Sequence, residues 1–382
     1  VGGIGFRSGR DTVVTPRPWE RFLIPDHLFP ANASSLRLAI AEPMEESCYL
    51  DAVSLTCWDL PEDWSMTLDE RMGTGMPKPT GEPVFYRQRI RPTRVSNGSG
   101  DVTAAAEAAD QTAIPIPPRD PRFLGRLAED HVIEMCFDHP LDALDGEPVL
   151  VLDGWVEYPY SQTCFAAWQA NATYDPPSIE ARGPDGSWFM VAERIGYPAG
   201  MPRQMSVPLG SLPPGTAELR IRSNLEIYWD SIAVVGSLPC PQARSHALEP
   251  ISATLAEVGY PRRRNGAQRQ PDFDWNDRAP LWDTRFQRGY YTRRGAVDRL
   301  LEEADAAVAI FGPGEAVECT FAGPPSLPRG HRRFFVLGIE GWCKDKDLFT
   351  QDGDTLEPLP GHPDERARQL NETHNIRWMG GS

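Results

Sequence analysis

Four carboxylates fall on two stretches that read as strands, Asp153 and Glu157 in VLVLDGWVEY and Glu226 and Asp230 in LEIYWDSIAVV. Period-two alternation places Glu226, Tyr228 and Asp230 on one face of their strand and Leu225, Ile227 and Trp229 on the other. Carboxyl groups gathered on one polar sheet face are the equipment of a glycoside-acting enzyme, in which one protonates the leaving oxygen and the other attacks the sugar or activates water. The plainer reading of the same pattern is the solvated face of a half-buried sheet. Trp155, Trp168 and Trp188 add a binding chemistry, because an exposed indole stacks on a sugar or a partner surface while a buried one fills a core.

A second group, Asp345, Asp347, Asp352, Asp354 and Glu357, alternates carboxylates through a turn at Gly353. Hard cations take oxygen ligands, so this turn is a calcium candidate, although its spacing is not that of an EF-hand and a solvated acidic loop is the simpler expectation. Other chemistries lack their residues. The seven histidines show no zinc-type spacing, and His131 and His139 flank a strand as surface residues. Ser99, in Asn97-Gly98-Ser99-Gly100, lacks the setting of a nucleophile elbow and reads as a turn. The run FGPGEAV joins strand to strand and is no phosphate loop. The sequons at Asn32, Asn97, Asn171 and Asn371 carry weight only in a eukaryotic secretory route.

The elements that must hold these residues include a block present twice. DVTAAAEAAD, VIEMCFDHP and PVLVLDGWVEY (from 101 to 158) match AVDRLLEEAD, AVECTFAGP and RRFFVLGIEGWCKD (from 296 to 345) in order and kind. Each copy runs from a short helical stretch to an apolar-Glu-x-x-Phe strand and then to a longer strand ending on Gly-Trp, which pairs Glu134 with Glu318, Phe137 with Phe321 and Trp155 with Trp342. A repeat without a shared catalytic residue is an architectural signal.

Between the copies, short strands follow one another at regular spacing, with Pro184-Asp185-Gly186 as a hairpin turn, which fits a β-sandwich or jelly roll. The 38 prolines and 11 tryptophans of the 382 residues agree with many short strands and few helices. The net charge of −16 disfavours nucleic acid and anionic lipid, and the run Arg262, Arg263, Arg264 reads as a solvated loop. No apolar run of about 18 residues is present, so no transmembrane helix is expected. Scarce Lys against abundant Arg suggests a high-GC bacterial source. The chain begins with Val, which permits a removed leader. Seven cysteines without a CxxC pair read mostly as core thiols, with a Cys48 to Cys57 bridge as the exception.

The runs SLRLAIAEPMEESCYLDAVSL, VLDGWVEYPYS, IGYPAGMPRQMSVPLGSLPPG, LRIRSNLEIYWDSIAV and DTLEPLPGHP resemble the region that follows the propeller in bacterial FG-GAP and ASPIC/UnbV proteins, which are similar to cartilage acidic protein 1. The IYWDSIAV strand is also similar to the terminal strand of galactose-binding-like domains. The resemblance implies an exported or cell-surface β-module used for binding or adhesion, without catalytic residues to carry over. The chain lacks the family's repeated calcium loops and any tetratricopeptide array.

The expectation is a mainly β protein with a central jelly-roll or β-sandwich (147–237) flanked by two related β modules with short helices (35–146 and 291–360). An extended N-terminal arm (1–34), a Pro/Arg-rich connection (238–290) and a C-terminal tail (361–382) complete it. The expected role is a non-enzymatic, extracytoplasmic scaffold subunit peripheral to the membrane, docking on other proteins such as a periplasmic electron-transport or photosynthetic assembly. No cofactor is expected apart from the calcium candidate. The alternatives are a lectin-like module that binds glycans and a glycoside-acting enzyme. Trp155, Trp168, Trp188, Glu226 and Asp230 are the candidate binding residues.

Overall fold

The computed structural model describes residues 2–5, 16–25, 27–30, 33–44, 46–73, 75–278 and 286–380; Asn32 and parts of the N-terminal arm lie outside them. The chain is mainly β, with 47% strand against 9% helix among the described residues. The N-terminal strands are β1 (Gly2–Gly3), β2 (Trp19–Ile24), β3 (Ser35–Glu42) and β4 (Glu46–Pro61). Next come β5 (Ser65–Leu68), β6 (Pro83–Tyr86), β7 (Arg89–Ile90), β8 (Arg94–Asn97), β9 (Gly100–Asp101), β10 (Arg126–Cys136) and β11 (Glu147–Val156). Helix α1 (Ser161–Gln169) precedes β12 (Ser178–Arg182), β13 (Trp188–Ala192), β14 (Arg203–Pro208), β15 (Glu218–Leu225) and β16 (Ile227–Ser237). Then follow β17 (Arg244–Ala247), β18 (Pro250–Glu257), β19 (Pro261–Asn265), β20 (Pro271–Arg278), β21 (Gly289–Tyr291) and β22 (Gly295–Ala296). The last elements are β23 (Ala309–Phe311), β24 (Glu315–Ala322), β25 (His331–Asp345), α2 (Glu365–His374) and β26 (Arg377–Met379).

These elements form two units, one of residues 1–61, 243–264 and 273–382, the other of residues 62–242 and 265–272. In the second unit the sheet β13-β12-β15-β10-β8-β9 faces the sheet β14-β11-β16-β7. Alternate residues of both sheets fill one core, among them Ile133, Met135, Leu150, Leu152, Ile221, Ile232 and Val234. The Pro184-Asp185-Gly186 turn closes the β12–β13 hairpin, with Gly186 at φ 82° as the turn requires.

In the first unit the sheet β22-β18-β24-β3 faces a sheet that runs β1-β25-β4-β17, with β2 also paired to β25 and β23 to β4. Leu36, Leu50, Leu55, Leu255, Val317, Phe321 and Phe335 make its core. Here the expected C-terminal tail supplies α2 and β26. Asp364 caps α2 by accepting from the Ala367 N–H at 2.8 Å, and the helix lays Ala367 and Leu370 into the core. The expected N-terminal arm likewise supplies β2, and the expected Pro/Arg-rich connection supplies β17, β18 and the β19–β20 hairpin.

The two units share one topology. The order β14-β11-β16-β7 in the second unit corresponds to β2-β25-β4-β17 in the first, and β15-β10-β8-β9 corresponds to β3-β24-β18-β22. The strands that end the second unit (β14, β15, β16) thus match the strands that begin the first (β2, β3, β4), so one unit is a circular permutation of the other. Along the chain, however, the matched strands β2, β3, β4, β7, β8, β9, β10 and β11 run in the same order as β14, β15, β16, β17, β18, β22, β24 and β25, so the duplicated block is the stretch of a longer tandem repeat in which the residues also match. Segment 147–237 completes the sandwich begun by the first copy, and segment 19–61 completes the sandwich of the second. The boundaries drawn from sequence at 146 and 360 therefore do not coincide with the limits of the units.

Candidate ligand site

Three of the residues singled out from sequence meet on the outer face of the β11–β16 pair. Trp155 lies opposite Tyr228, and the two rings stack at 5.6 Å with 17° between their planes. A bulge between Asp153 and Gly154 creates the pairing, and only glycine fits there because a Cβ on residue 154 would stand 2.4 Å from the Tyr228 carbonyl oxygen. The expected alternation holds. Ile227 and Trp229 enter the core, while Tyr228 turns outward against Trp155 and Ala113.

Glu226 is 1% exposed and accepts a 2.6 Å hydrogen bond from the Tyr228 hydroxyl. Arg269 Nε lies 3.4 Å from its carboxylate and Arg119 Nε 3.8 Å, and Arg269 Nη1 also reaches Glu157 Oε2 at 3.6 Å. Glu226 and Glu157 are thus paired through a shared arginine. Burial pushes the Glu226 carboxyl above its ordinary pKa, opposed by the Tyr228 hydroxyl and by Arg269 and Arg119. Burial and the adjacent Glu226 carboxylate push the Tyr228 phenol upward in turn.

A segment of the chain's own backbone covers this site. The turn Ala267–Arg269 holds Gln268 and Arg269 in the left-handed region at φ 53° and 54°. The Gln268 amide makes a two-way pair with Ala113, accepting from its N–H at 3.0 Å and donating to its carbonyl at 2.8 Å. Trp155 Nε1 donates to the Gln268 carbonyl at 2.9 Å. An indole and a carboxylate capped in this way offer neither a stacking face nor an open cleft between carboxyl groups, so the glycoside-hydrolase arrangement is not formed here. The covering turn was missed in the sequence because it sits in the Pro/Arg-rich stretch, more than a hundred positions from Trp155.

Asp230 does not join this pair. It accepts the backbone N–H groups of Gln111 (2.9 Å) and Thr112 (3.1 Å), and burial raises its pKa. Asp51 is its equivalent in the first unit, accepting from Ala306 (2.9 Å) and Asp305 (3.2 Å), and burial pushes it up to about 6. Gln111 and Ala306 both carry a positive φ, of 72° and 65°. The aspartate is therefore a clamp on a left-handed turn, built twice. A sequence signal for it existed in Tyr49-Leu50-Asp51 and Tyr228-Trp229-Asp230. Asp153 serves Arg89 and Gln204 at 3.2 Å each.

The remaining candidates are dispersed. Trp188 lies beneath the Arg220 guanidinium at 4.3 Å, whereas Trp168 is 45% exposed on α1, beside Phe165. The calcium expectation is not supported by the geometry. Asp347 Oδ1 caps its own turn through the Phe349 and Thr350 N–H groups, and the buried Lys344 ammonium donates to the carbonyls of Thr355 and Glu357. Asp354 faces Arg288 at 3.6 Å, and among the described residues no three His, Cys, Asp or Glu side chains gather to hold a metal ion.

Two smaller expectations are corrected. His131 is buried inside β10 rather than placed at a strand end, while His139 is exposed as expected. Cys48 and Cys57 both lie on β4, where a separation of nine residues extends to roughly 30 Å, far beyond disulfide reach, and all seven cysteines are thiols.

No family model matches the sequence, and no curated protein matches it. Among solved structures the chain is similar, at 11% identity over 85% of its length and 74% of the other chain, to one described as the structure of infectious bursal disease virus Gx strain, with a TM-score of 0.14. A likeness of that size carries no argument about fold or function.

Proposed function

We propose that the chain is a non-enzymatic binding or scaffold subunit that docks on other proteins, with an extracytoplasmic, membrane-peripheral assembly as its host. The observation that carries this reading is an aromatic face held in solvent by a two-stranded ribbon. In the β21–β26 pair Tyr290 lies opposite Trp378, the rings meet edge to face at 4.9 Å, and they are 56% and 53% exposed. Ile376, two residues before Trp378, is also 50% exposed, while Tyr291 and Met379 turn into the core. Tyr and Trp have few rotatable bonds for their area and lose little side-chain entropy on binding, which is why such residues anchor protein interfaces. The catalytic candidates, by contrast, spend their polar atoms on the fold. A net charge of −16 favours a partner with basic groups around its apolar contact.

The test is recovery from the native membrane in mild detergent. Co-purification with an assembly that drops at least tenfold in Tyr290→Ala/Trp378→Ala supports the reading, and recovery only as a free monomer counts against it. Exposed Trp168 favours the lectin-like alternative, for which glycan-array binding abolished by Trp168→Ala is the requirement.

A further inference from the structure

Two cysteines remote in sequence are direct partners in the fold. In the long β4–β25 pair Cys343 lies opposite Cys48. Directly opposed residues of an antiparallel pair project to the same face, and both side chains here pack on the first unit's core. The Cys343 carbonyl accepts from the Ile4 N–H at 2.8 Å, so the backbone groups of Cys343 turn away from β4 and toward the β1 side. Cys48 and Cys343 therefore form a non-hydrogen-bonded pair, the closer kind, with Cα atoms about 4.5 Å apart. A disulfide spans Cα separations from about 4.4 to 6.8 Å.

No other cysteine has this setting in its register. Cys57 lies opposite Phe335 and His246, Cys319 opposite Leu38 and Ala253, and Cys136 opposite Glu218 and Arg94. Cys48 is buried and Cys343 half-buried, so Cys343 is the more accessible residue of the pair.

We propose that Cys48 and Cys343 form a reversible disulfide when the protein meets a low-molecular-weight disulfide such as oxidised glutathione. The Cys343 thiolate attacks one sulfur of the oxidant and expels one glutathione thiolate. Cys48 then attacks the protein sulfur of the mixed disulfide and expels the second. Two protein thiols become one S–S bond, the oxidant is reduced by two electrons, and the two protons leave on the two glutathione thiols. Burial raises both thiols, with Glu42 and Glu46 adding at Cys48 and Glu46 at Cys343, and Cys48 Sγ lies 3.4 Å from Glu42 Oε2. Thiolate is therefore scarce near neutral pH, and the bridge forms slowly and faster in mild alkali. Its effect is topological. The first unit is built from separated stretches of chain, and the bond ties residue 48 in the N-terminal stretch to residue 343 in the C-terminal one. A cross-link closing so long a loop restricts the unfolded chain strongly.

The full chain is incubated with oxidised glutathione at mildly alkaline pH, its thiols are counted in denaturant, and peptides are mapped without reduction. The expected result is loss of two of the seven thiols, one linked peptide pair containing residues 48 and 343, and a thermal midpoint that rises by several degrees and returns on reduction. Cys343→Ser and Cys343→Ala lose the link and the shift, while Cys57→Ser keeps both. Retention of all seven thiols, stable mixed disulfides alone, or a bridge between other cysteines overturns the proposal, and the wild-type mapping decides it even where a variant fails to fold.

Discussion

His131 lies inside β10, 4% exposed, with Asn97 Nδ2 at 3.5 Å from its Nε2, and burial holds its pKa down at about 4 against an ordinary 6.5. The imidazole is neutral in the fold, so as pH falls from 6.5 to about 4 the unfolded chain takes up the proton first and stability is lost through that window. The shift corresponds to about 3 kcal/mol. Asp51 works in the opposite sense. Its pKa, raised from 3.8 to about 6, lets the fold bind the proton first and gain stability as pH falls between those values. His131→Gln removes one side of this balance, so its stability relative to the wild type should improve by about 3 kcal/mol between pH 7 and pH 4 in urea unfolding. Parallel pH profiles would show that His131 does not titrate as argued. The twin clamps give a second prediction. Asp51→Ala and Asp230→Ala each strip the partner from two backbone N–H groups and should each cost about 1–3 kcal/mol, by similar amounts. A cost at one site alone would break the equivalence of the two turns. At this scale the sequence showed which face each residue takes, because alternation is local. It did not show what lies on that face, since Gln268 and Arg269 reach Trp155 and Glu226 from a distant turn.

At the scale of elements, the Gly-Trp pairs are the most regular feature of the repeat. Gly154 and Gly341 each sit at a bulge, and a Cβ there would stand 2.4 Å from the Tyr228 carbonyl oxygen and 2.3 Å from the Tyr49 carbonyl oxygen. Neither oxygen can retreat without opening its ladder. Gly154→Ala and Gly341→Ala should each destabilise by about 2–3 kcal/mol in thermal or urea unfolding. A neutral result at either would mean the bulge relaxes freely and is not what sets Trp155 against Tyr228 or Trp342 opposite Tyr49. The paired strands of the repeat were legible because their apolar alternation is strong in both copies. The strands β17 to β20 were not, since Pro250 opens β18 and the solvent-exposed arginines of β19 mask a pairing that needs little burial. Helix α2 was hidden for a related reason. It buries only Ala367, Leu370 and Asn371, so its ten residues read as polar tail, and the sign of a helix start was the capping Asp364.

The whole molecule joins C-terminal strands of one repeat to N-terminal strands of the next, twice, and in one of the two sandwiches the pairing spans most of the chain. In the second unit β11 pairs with β14 and β16 inside one continuous stretch. In the first unit the corresponding partners are β25 with β2 and β4, so residues 19–61 must wait for residues 331–345. The permutation could not be read from the duplicated block, because the matched strands run in one order along the chain and a linear comparison does not show which strands pair. Closing a longer loop costs only about 0.6 kcal/mol more per doubling of its length, so the difference falls on folding rate more than on stability. Pulse-labelled hydrogen exchange during refolding should therefore find amides of β10, β11, β15 and β16 protected before those of β4 and β25, with the slower phase confined to the first unit. Simultaneous protection of β4 and β16, two equivalent strands in different positions along the chain, would show that sequence separation does not control the order in which these sandwiches form. A Cys48–Cys343 bridge made beforehand should then accelerate the first unit selectively, since it removes the chain search that the permuted order imposes.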